Sequence, residues 1–254
     1  MSEAAAGHHE HHWEWSWAPM AVVIGVFLIL PLGFSTFFVY ENVSLTIALC
    51  GIGTPILLAG IAKWVAEGLT VKPLVEGLAG VAIPLFIVSE VFIFLGLFAS
   101  YWTIRLSAGE MWPPEGTPVF DKSIPLIMTV ILVASSITYH VAEVKAEAKD
   151  LGSFRNWVMI TLVLGFVFLG LTIYEYQHLL HMDFGPSTNS YSTAFYTITG
   201  FHASHVLVGL CIFIAVLIPA FKGLENHTFT SSAGVYWHFV DVVWFFVASQ
   251  LYFW

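Results

Sequence analysis

The chain has 254 residues, 58% of them hydrophobic and only 10% charged. Soluble domains carry about 25% charged residues, so this composition excludes an ordinary soluble globule and points to an integral membrane protein. The formal charge of −9 comes with no block of Lys or Arg, which excludes nucleic acid as a partner.

Residues 1–18 read as a polar, His-rich cytoplasmic tail. They contain His8, His9, His11 and His12 among Glu3, Glu10 and Glu14, and no Lys or Arg, unlike the positive start of a secretory signal. Adventitious or regulatory binding of Zn or Cu is the sharper reading of such clustered imidazoles.

Seven apolar stretches follow, at Pro19–Tyr40, Ser44–Val65, Val81–Ile104, Ser123–Val141, Phe154–Tyr176, Thr193–Phe221 and Ala233–Tyr252. A bilayer core of about 30 Å needs about 20 residues of helix. The predicted fold is therefore all-α, a polytopic membrane protein with seven transmembrane helices. The short link at Glu41–Val43 predicts an antiparallel hairpin over residues 19–65, and residues 66–254 supply a five-helix bundle. Trp112-Pro113-Pro114-Glu115-Gly116 predicts a rigid turn with an interfacial Trp. Cys50 and Cys211 lie inside apolar runs and read as small core residues.

With the N-terminus in the cytoplasm, Lys63, Lys72, Lys145, Lys149, Arg155 and Lys222 fall on the inner side, against Arg105 and Lys122 outside. That bias satisfies the positive-inside rule and predicts an outer C-terminus.

Within the third stretch, Val81–Thr103 holds a single ionisable group, Glu90, near its middle. A carboxylate there costs at least about 2.5 kcal/mol, so it must be protonated, paired or turned toward polar material. Its own helix offers only Ile93 and Phe94 one turn on, so the partner comes from another helix or a bound molecule. Burial, with no Lys or Arg at that depth, predicts a largely protonated Glu90 unless His202, His205 or His238 approaches it. The other intramembrane polar groups are Glu175 with His178 and His181, His202 with His205, and His238 with Asp241. The last two pairs are spaced i, i+3 and share a helix face.

Three readings compete for these groups. Glu175-Tyr176-Gln177-His178 is one Glu-x-x-His, the element that di-iron four-helix sites use twice, and a membrane-embedded metal enzyme would add His202, His205, His238 and Asp241 as ligands. A plainer reading has them hydrogen-bond neighbouring helices. A third has them face a cleft for lipid or a partner helix. A proton-coupled transporter built on Glu90, Glu175, His202, His205, His238 and Asp241 is a further alternative, although seven spans without internal repeats argue against repeat-built transporters.

Several strings carry a resemblance. They are Ile87-Val88-Ser89-Glu90-Val91-Phe92, Trp112-Pro113-Pro114, Ile131-Leu132-Val133-Ala134-Ser135-Ser136, Glu175-Tyr176, Thr199-Gly200-Phe201-His202-Ala203-Ser204-His205-Val206 and Trp237-His238-Phe239-Val240-Asp241-Val242-Val243-Trp244. In this order, from about Leu78 to the C-terminus, the chain resembles subunit III of the haem–copper terminal oxidases, the cytochrome c oxidase subunit 3 family. The resemblance implies a two-helix hairpin leaning away from a five-helix bundle, with phospholipid in the cleft. It implies no haem, copper or other metal in this chain, with haem and copper in partner subunits. The implied partners are subunit I as the main contact, subunit II and other respiratory-complex subunits. The implied roles are support of proton uptake, protection of subunit I during turnover and a lipid path for oxygen. Glu90 matches the family carboxylate that faces the cleft. Where the family often carries an Arg nine residues before the Ser of Ser-Glu, this chain has Gly80, which leaves lipid-phosphate contact to Lys63, Trp64 or Lys72. The expected location is a bacterial cytoplasmic membrane rather than a mitochondrial one. Small residues, Gly96 and Ser100 with Gly165 and Gly170, are the expected points of contact with subunit I.

Overall fold

The computed structural model describes residues 16–70 and 78–253. The His-rich tail up to residue 15, and Lys72, lie outside the described residues.

Everything described is helical or connecting loop. The first rod is α1 (Ala18–Phe27), a π-helical turn at Leu28–Gly33, and α2 (Phe34–Phe38). Pro31 lies inside that turn. Proline has no N–H and its ring crowds the carbonyl four residues back, and the wider π turn relieves both problems. There follow α3 (Val43–Thr70), α4 (Leu78–Ala108), a short 3₁₀ turn, α5 (Ser123–Glu147), α6 (Leu151–His181), α7 (Ser190–Phe221) and α8 (His227–Tyr252).

Polar side chains start these helices. Asn42 Oδ1 accepts from Leu45 N–H at 3.0 Å ahead of α3, and Asp150 Oδ1 accepts from Ser153 N–H at 3.1 Å ahead of α6. Asn189 and Ser192 form a reciprocal capping box on α7, and Asn226 caps α8. Each satisfies N–H groups that have no partner within the helix. At the other end of α7, Gly223 at φ 76° lets Leu224 N–H return to Pro219 O at 3.1 Å. That left-handed turn suits glycine, which has no Cβ.

The backbone separates into two compact units, Met1–Glu76 and Gly77–Trp254. In the first, α1 lies along α3 through glycines. A Cβ on Gly25 would sit 2.6 Å from Leu57 Cβ, and one on Gly60 would sit 2.9 Å from the Val22 nitrogen. Thr36 and Thr46 hydroxyls meet at 2.9 Å across this hairpin.

In the second unit α8 packs on α4, α5 and α7, and α6 packs on α5 and α7. Trp237 of α8 is at its centre and fully buried. Its indole N–H donates to Ser135 Oγ of α5 at 3.0 Å. Gly209 of α7 makes room for the ring, since a Cβ there would lie 2.7 Å from it. Gly165 of α6 faces Leu210 and Trp237 in the same way, so it packs within the chain and is not a point of contact with a partner. Gly96 and Gly170 face open space, and the Ser100 hydroxyl folds back on Gly96 O at 3.1 Å.

Composition supports six of the seven expected spans, and one other expectation changes. Six stretches, Ala18–Phe37, Val43–Glu67, Ala82–Met111, Ser123–Glu147, Leu151–His181 and Ser190–Phe221, are long and apolar enough to cross a membrane, and α8 is not among them. Its polar residues lower its hydropathy, yet fourteen of its residues are buried. A helix covered by protein need not be apolar for lipid's sake. Cys211 is exposed and Cys50 half-buried, both as free thiols, so neither is a core residue. Cys211 sits in apolar sequence on a face the chain itself leaves uncovered, whereas Cys50 turns its Sγ toward Gly33 at the edge of the hairpin contact.

Candidate functional site: a carboxyl–imidazole pair between α4 and α7

Glu90 finds its partner on α7. Its Oε2 lies 3.1 Å from His205 Nε2, and both side chains are little exposed, 13% and 12%. The other imidazole nitrogen, Nδ1, is 2.8 Å from the Phe201 carbonyl one turn back on α7. A carbonyl oxygen only accepts, so Nδ1 carries a proton and donates. One further proton then lies between Nε2 and the carboxyl. Either a neutral carboxylic acid donates to a neutral imidazole, or an imidazolium donates to a carboxylate. The pair has zero net charge in both forms, which removes most of the cost of an isolated charge at this depth.

The surroundings hold this geometry. Phe94 packs one turn after Glu90, with ring centroids 5.0 Å from Phe201 and 5.3 Å from His205. Tyr236 of α8 donates to the His205 backbone carbonyl at 3.1 Å and stacks on Phe86 of α4. Ser89, next to Glu90, donates to Phe86 O at 2.6 Å.

The other candidates are dispersed. Glu175 is buried near the C-terminal end of α6, and Tyr252 OH donates to its Oε2 at 2.6 Å. His178, three residues on, is exposed and stacks on Tyr174, and His181 is exposed too. The Glu-x-x-His residues therefore point into different surroundings. His202 is buried between Phe168 of α6 and Trp244 of α8, and neither ring nitrogen has a hydrogen bond among the described residues. Asp241 is buried, with both carboxyl oxygens lacking a hydrogen bond. His238, one turn before it, meets the Ser136 hydroxyl of α5 through Nδ1 at 2.6 Å. In the hairpin, Lys63 pairs with Glu67 at 2.6 Å and lies over the Trp17 ring, while Trp64 is exposed. Among the described residues, no three His, Cys, Asp or Glu side chains converge as metal ligands.

The sequence reading missed Phe201 O, Tyr252 and Ser136, the groups that satisfy His205, Glu175 and His238. Tyr252 is a closing-helix residue 77 positions from Glu175, a separation at which sequence spacing carries no signal. The Phe201 carbonyl was within reach, since a His on a helix sits one turn from the i−4 carbonyl.

Helices of this length and apolarity, with buried polar groups paired between them, define a polytopic integral-membrane protein. The family model for cytochrome c oxidase subunit III matches residues 9–254. The cytochrome c oxidase subunit 3 of Thermostichus vulcanus is 40% identical over 171 residues, 66% of this chain and 83% of the relative. That of Synechocystis sp. is 38% identical over 172 residues, 66% and 72% of the two chains. The probable cytochrome c oxidase subunit 3 of Nocardia farcinica is 39% identical over 168 residues, 65% and 82%. The chain belongs to the cytochrome c oxidase subunit III family, and so is subunit III of a haem–copper oxidase.

Proposed function

We propose that this chain is a non-redox subunit of its oxidase, with haem and copper held by partner subunits. It packs mainly on subunit I, with subunit II and further respiratory-complex subunits in the same assembly. There it stabilises subunit I, supports proton uptake and binds structural phospholipid. All seven helices cross a bacterial cytoplasmic membrane in this reading, α8 included, with the N-terminus in the cytoplasm and the C-terminus outside. The hairpin, the bundle and the lipid-holding cleft implied by the resemblance belong to the same proposal, with Lys63, Trp64 and Lys72 as candidates for headgroup contact.

The Glu90–His205 pair is the observation that carries it. Glu90 Oε2 has its hydrogen-bond partner inside the chain and the pair as a whole is net neutral, so this arrangement does not depend on a bound metal ion or a transported cation. It can pass its proton to His205 and back without adding charge to the membrane interior. That suits a support subunit better than a membrane metal enzyme, for which no three ligands converge among the described residues.

Two experiments test this. An affinity-tagged chain taken from membranes in nanodiscs is expected to bring down a haem- and copper-bearing subunit. A stable free chain that moves a solute across liposomes would instead establish a transporter. In the assembled oxidase, Glu90→Gln keeps a donor toward His205 Nε2 and is expected to leave assembly and initial turnover near wild type. Glu90→Ala leaves His205 Nε2 unpaired, a loss of about 1–3 kcal/mol, and is expected to shorten activity in sustained turnover. Abolished turnover in the Gln variant would show that titration of Glu90 is essential.

A further inference from the structure

Along the antiparallel contact of α5 and α8, polar residues fall on one line. On α5, Ser136, His140, Glu143 and Glu147 are spaced i, i+4, i+7 and i+11. On α8, His227, Ser231, Gly234, His238 and Asp241 are spaced i, i+4, i+7, i+11 and i+14. Such spacing puts each set on one helix face. The line begins in a cavity of about 140 Å³ lined by His140, Glu143, Glu147, His227, Thr230 and Ser231, with room for several water molecules. In the proposed orientation this cavity lies at the cytoplasmic ends of the two helices.

Two carboxyl–imidazole pairs line the cavity. His227 Nε2 is 3.7 Å from Glu147 Oε1, and His140 Nδ1 is 3.8 Å from Glu143 Oε2. Glu143 turns inward because Gly234 leaves it room, and a Cβ there would collide with the carboxyl. His140 is within electrostatic reach of His238, whose Nδ1 meets the Ser136 hydroxyl at 2.6 Å. The same hydroxyl is the polar group beside the Asp241 carboxyl, which is buried without a full hydrogen bond among the described residues. An ionised carboxyl so placed is costly. A hydroxyl both donates and accepts, so Ser136 can face either neighbour. As Asp241 gives its proton to the Ser136 oxygen, the Ser136 hydrogen passes to His238 Nδ1. One proton leaves the carboxyl, one arrives on the imidazole, and the reverse step restores both.

Beyond Asp241 the route stops. Trp244, one turn on, is buried, and its indole N–H is tied to Thr129 Oγ1 at 2.9 Å. An indole only donates, so it passes no proton on. We infer that the α5–α8 contact is a one-ended proton lane, running from the cavity between His140 and His227 through His238 and Ser136 to the Asp241 carboxyl. Chains of His and carboxylate inside a membrane suit proton transfer. No three His, Cys, Asp or Glu side chains converge among the described residues, which favours a proton over a metal ion as the species carried. The lane deepens the reading of the chain as a subunit that supports proton uptake, and rests on it. Its closed end fits storage of a proton rather than transport across the membrane.

The test times deuterium exchange at the Asp241 carboxyl in the assembled oxidase by infrared spectroscopy. The tagged complex, grown with carbon-13-labelled aspartate, is moved from water to heavy water, and the band missing from Asp241→Asn is followed. Should that variant fail to assemble, Asp241→Glu identifies the band by taking it out of the labelled set. Ser136→Ala is expected to slow exchange about tenfold, the rate equivalent of one ordinary hydrogen bond. Ser136→Thr, which keeps the hydroxyl, is expected to restore it, and His238→Leu to slow it likewise. An unchanged rate in either Ser136→Ala or His238→Leu would overturn the lane. So would a carboxyl band that never appears, since Asp241 then takes up no proton. Haem in the same samples reports the subunit reading separately. A haem-bearing complex with unchanged exchange sinks the lane alone, whereas a haem-free chain sinks the subunit reading and the lane with it.

Discussion

The hairpin and the five-helix bundle are built from the same aromatic-rich composition and use it in opposite ways. In the hairpin Trp17, Phe27, Phe34, Phe37, Tyr40 and Trp64 are exposed, and the contact between helices runs through Gly25, Gly53 and Gly60. In the bundle the largest fully buried side chains are Trp237, Tyr101, Tyr139, Phe154, Phe168, Phe184, Phe195 and Phe213, and Gly209 serves to seat one of them. The difference is geometric. Two helices share a line of contact with no interior, so a large ring can only hold them apart, and glycine brings backbones close enough for dispersion to act. Five helices enclose a volume, and rings fill it. Polar groups follow the same division. The bundle buries Glu175, His202 and Asp241, whereas the hairpin's side-chain hydrogen bonds between its two arms, Thr36 to Thr46 and Ser16 to Glu67, are only partly buried.

If rings hold the bundle, removing the central one should do the most damage. Trp237→Ala opens a cavity at the junction of α5, α7 and α8 and leaves Ser135 without the indole donor. A loss of about 3–5 kcal/mol is expected, read as a fall in the thermal midpoint at which the subunit leaves the purified complex. An unchanged midpoint would mean that the bundle is held from outside by its partners.

A glycine-based hairpin should be broken by size. Gly25→Leu and Gly60→Leu push side chains into Leu57 and into the Val22 backbone, with an expected cost of about 1–3 kcal/mol each. Gly51→Leu, on the same helix as Gly60 but with nothing within 4 Å, is the matched control and should be close to neutral. Limited proteolysis of the α2–α3 link reports the separation. Equal proteolysis of all three variants would refute the close-packed hairpin.

The smallest effect sharpens the comparison at the helix caps. Ser153, through its hydroxyl and backbone N–H, holds the Asp150 carboxyl below its ordinary value, whereas the hairpin's cap, Asn42, does not titrate. A carboxyl whose folded value is depressed contributes stability above its unfolded value and loses it as the pH falls through the folded one. Thermal midpoints of the wild type and Asp150→Asn should therefore agree at about pH 7 and diverge, with the wild type lower, toward about pH 3. Parallel curves would show that this cap adds nothing to the bundle.

Much of the architecture was legible in sequence because it depends on local quantities. Runs of apolar residues set helix number and length, the three-residue link at 41–43 set the first hairpin, and the strings around Glu90, His202 and Trp237 carried the family. Spacing alone even showed that Glu90 had no partner on its own helix. What sequence could not decide was which neighbour would supply one, because that depends on how helices distant in the chain rotate against each other. His205 meets Glu90 while His202, one turn earlier, faces Phe168 and Trp244. Gly165 and Gly170, five residues apart on α6, look equivalent in sequence, yet one faces Trp237 and the other open space. The last helix shows the limit most plainly. Its polar residues keep it out of the stretches apolar enough to cross a membrane, and only the tertiary structure shows that packing on three other helices buries fourteen of its 26 residues.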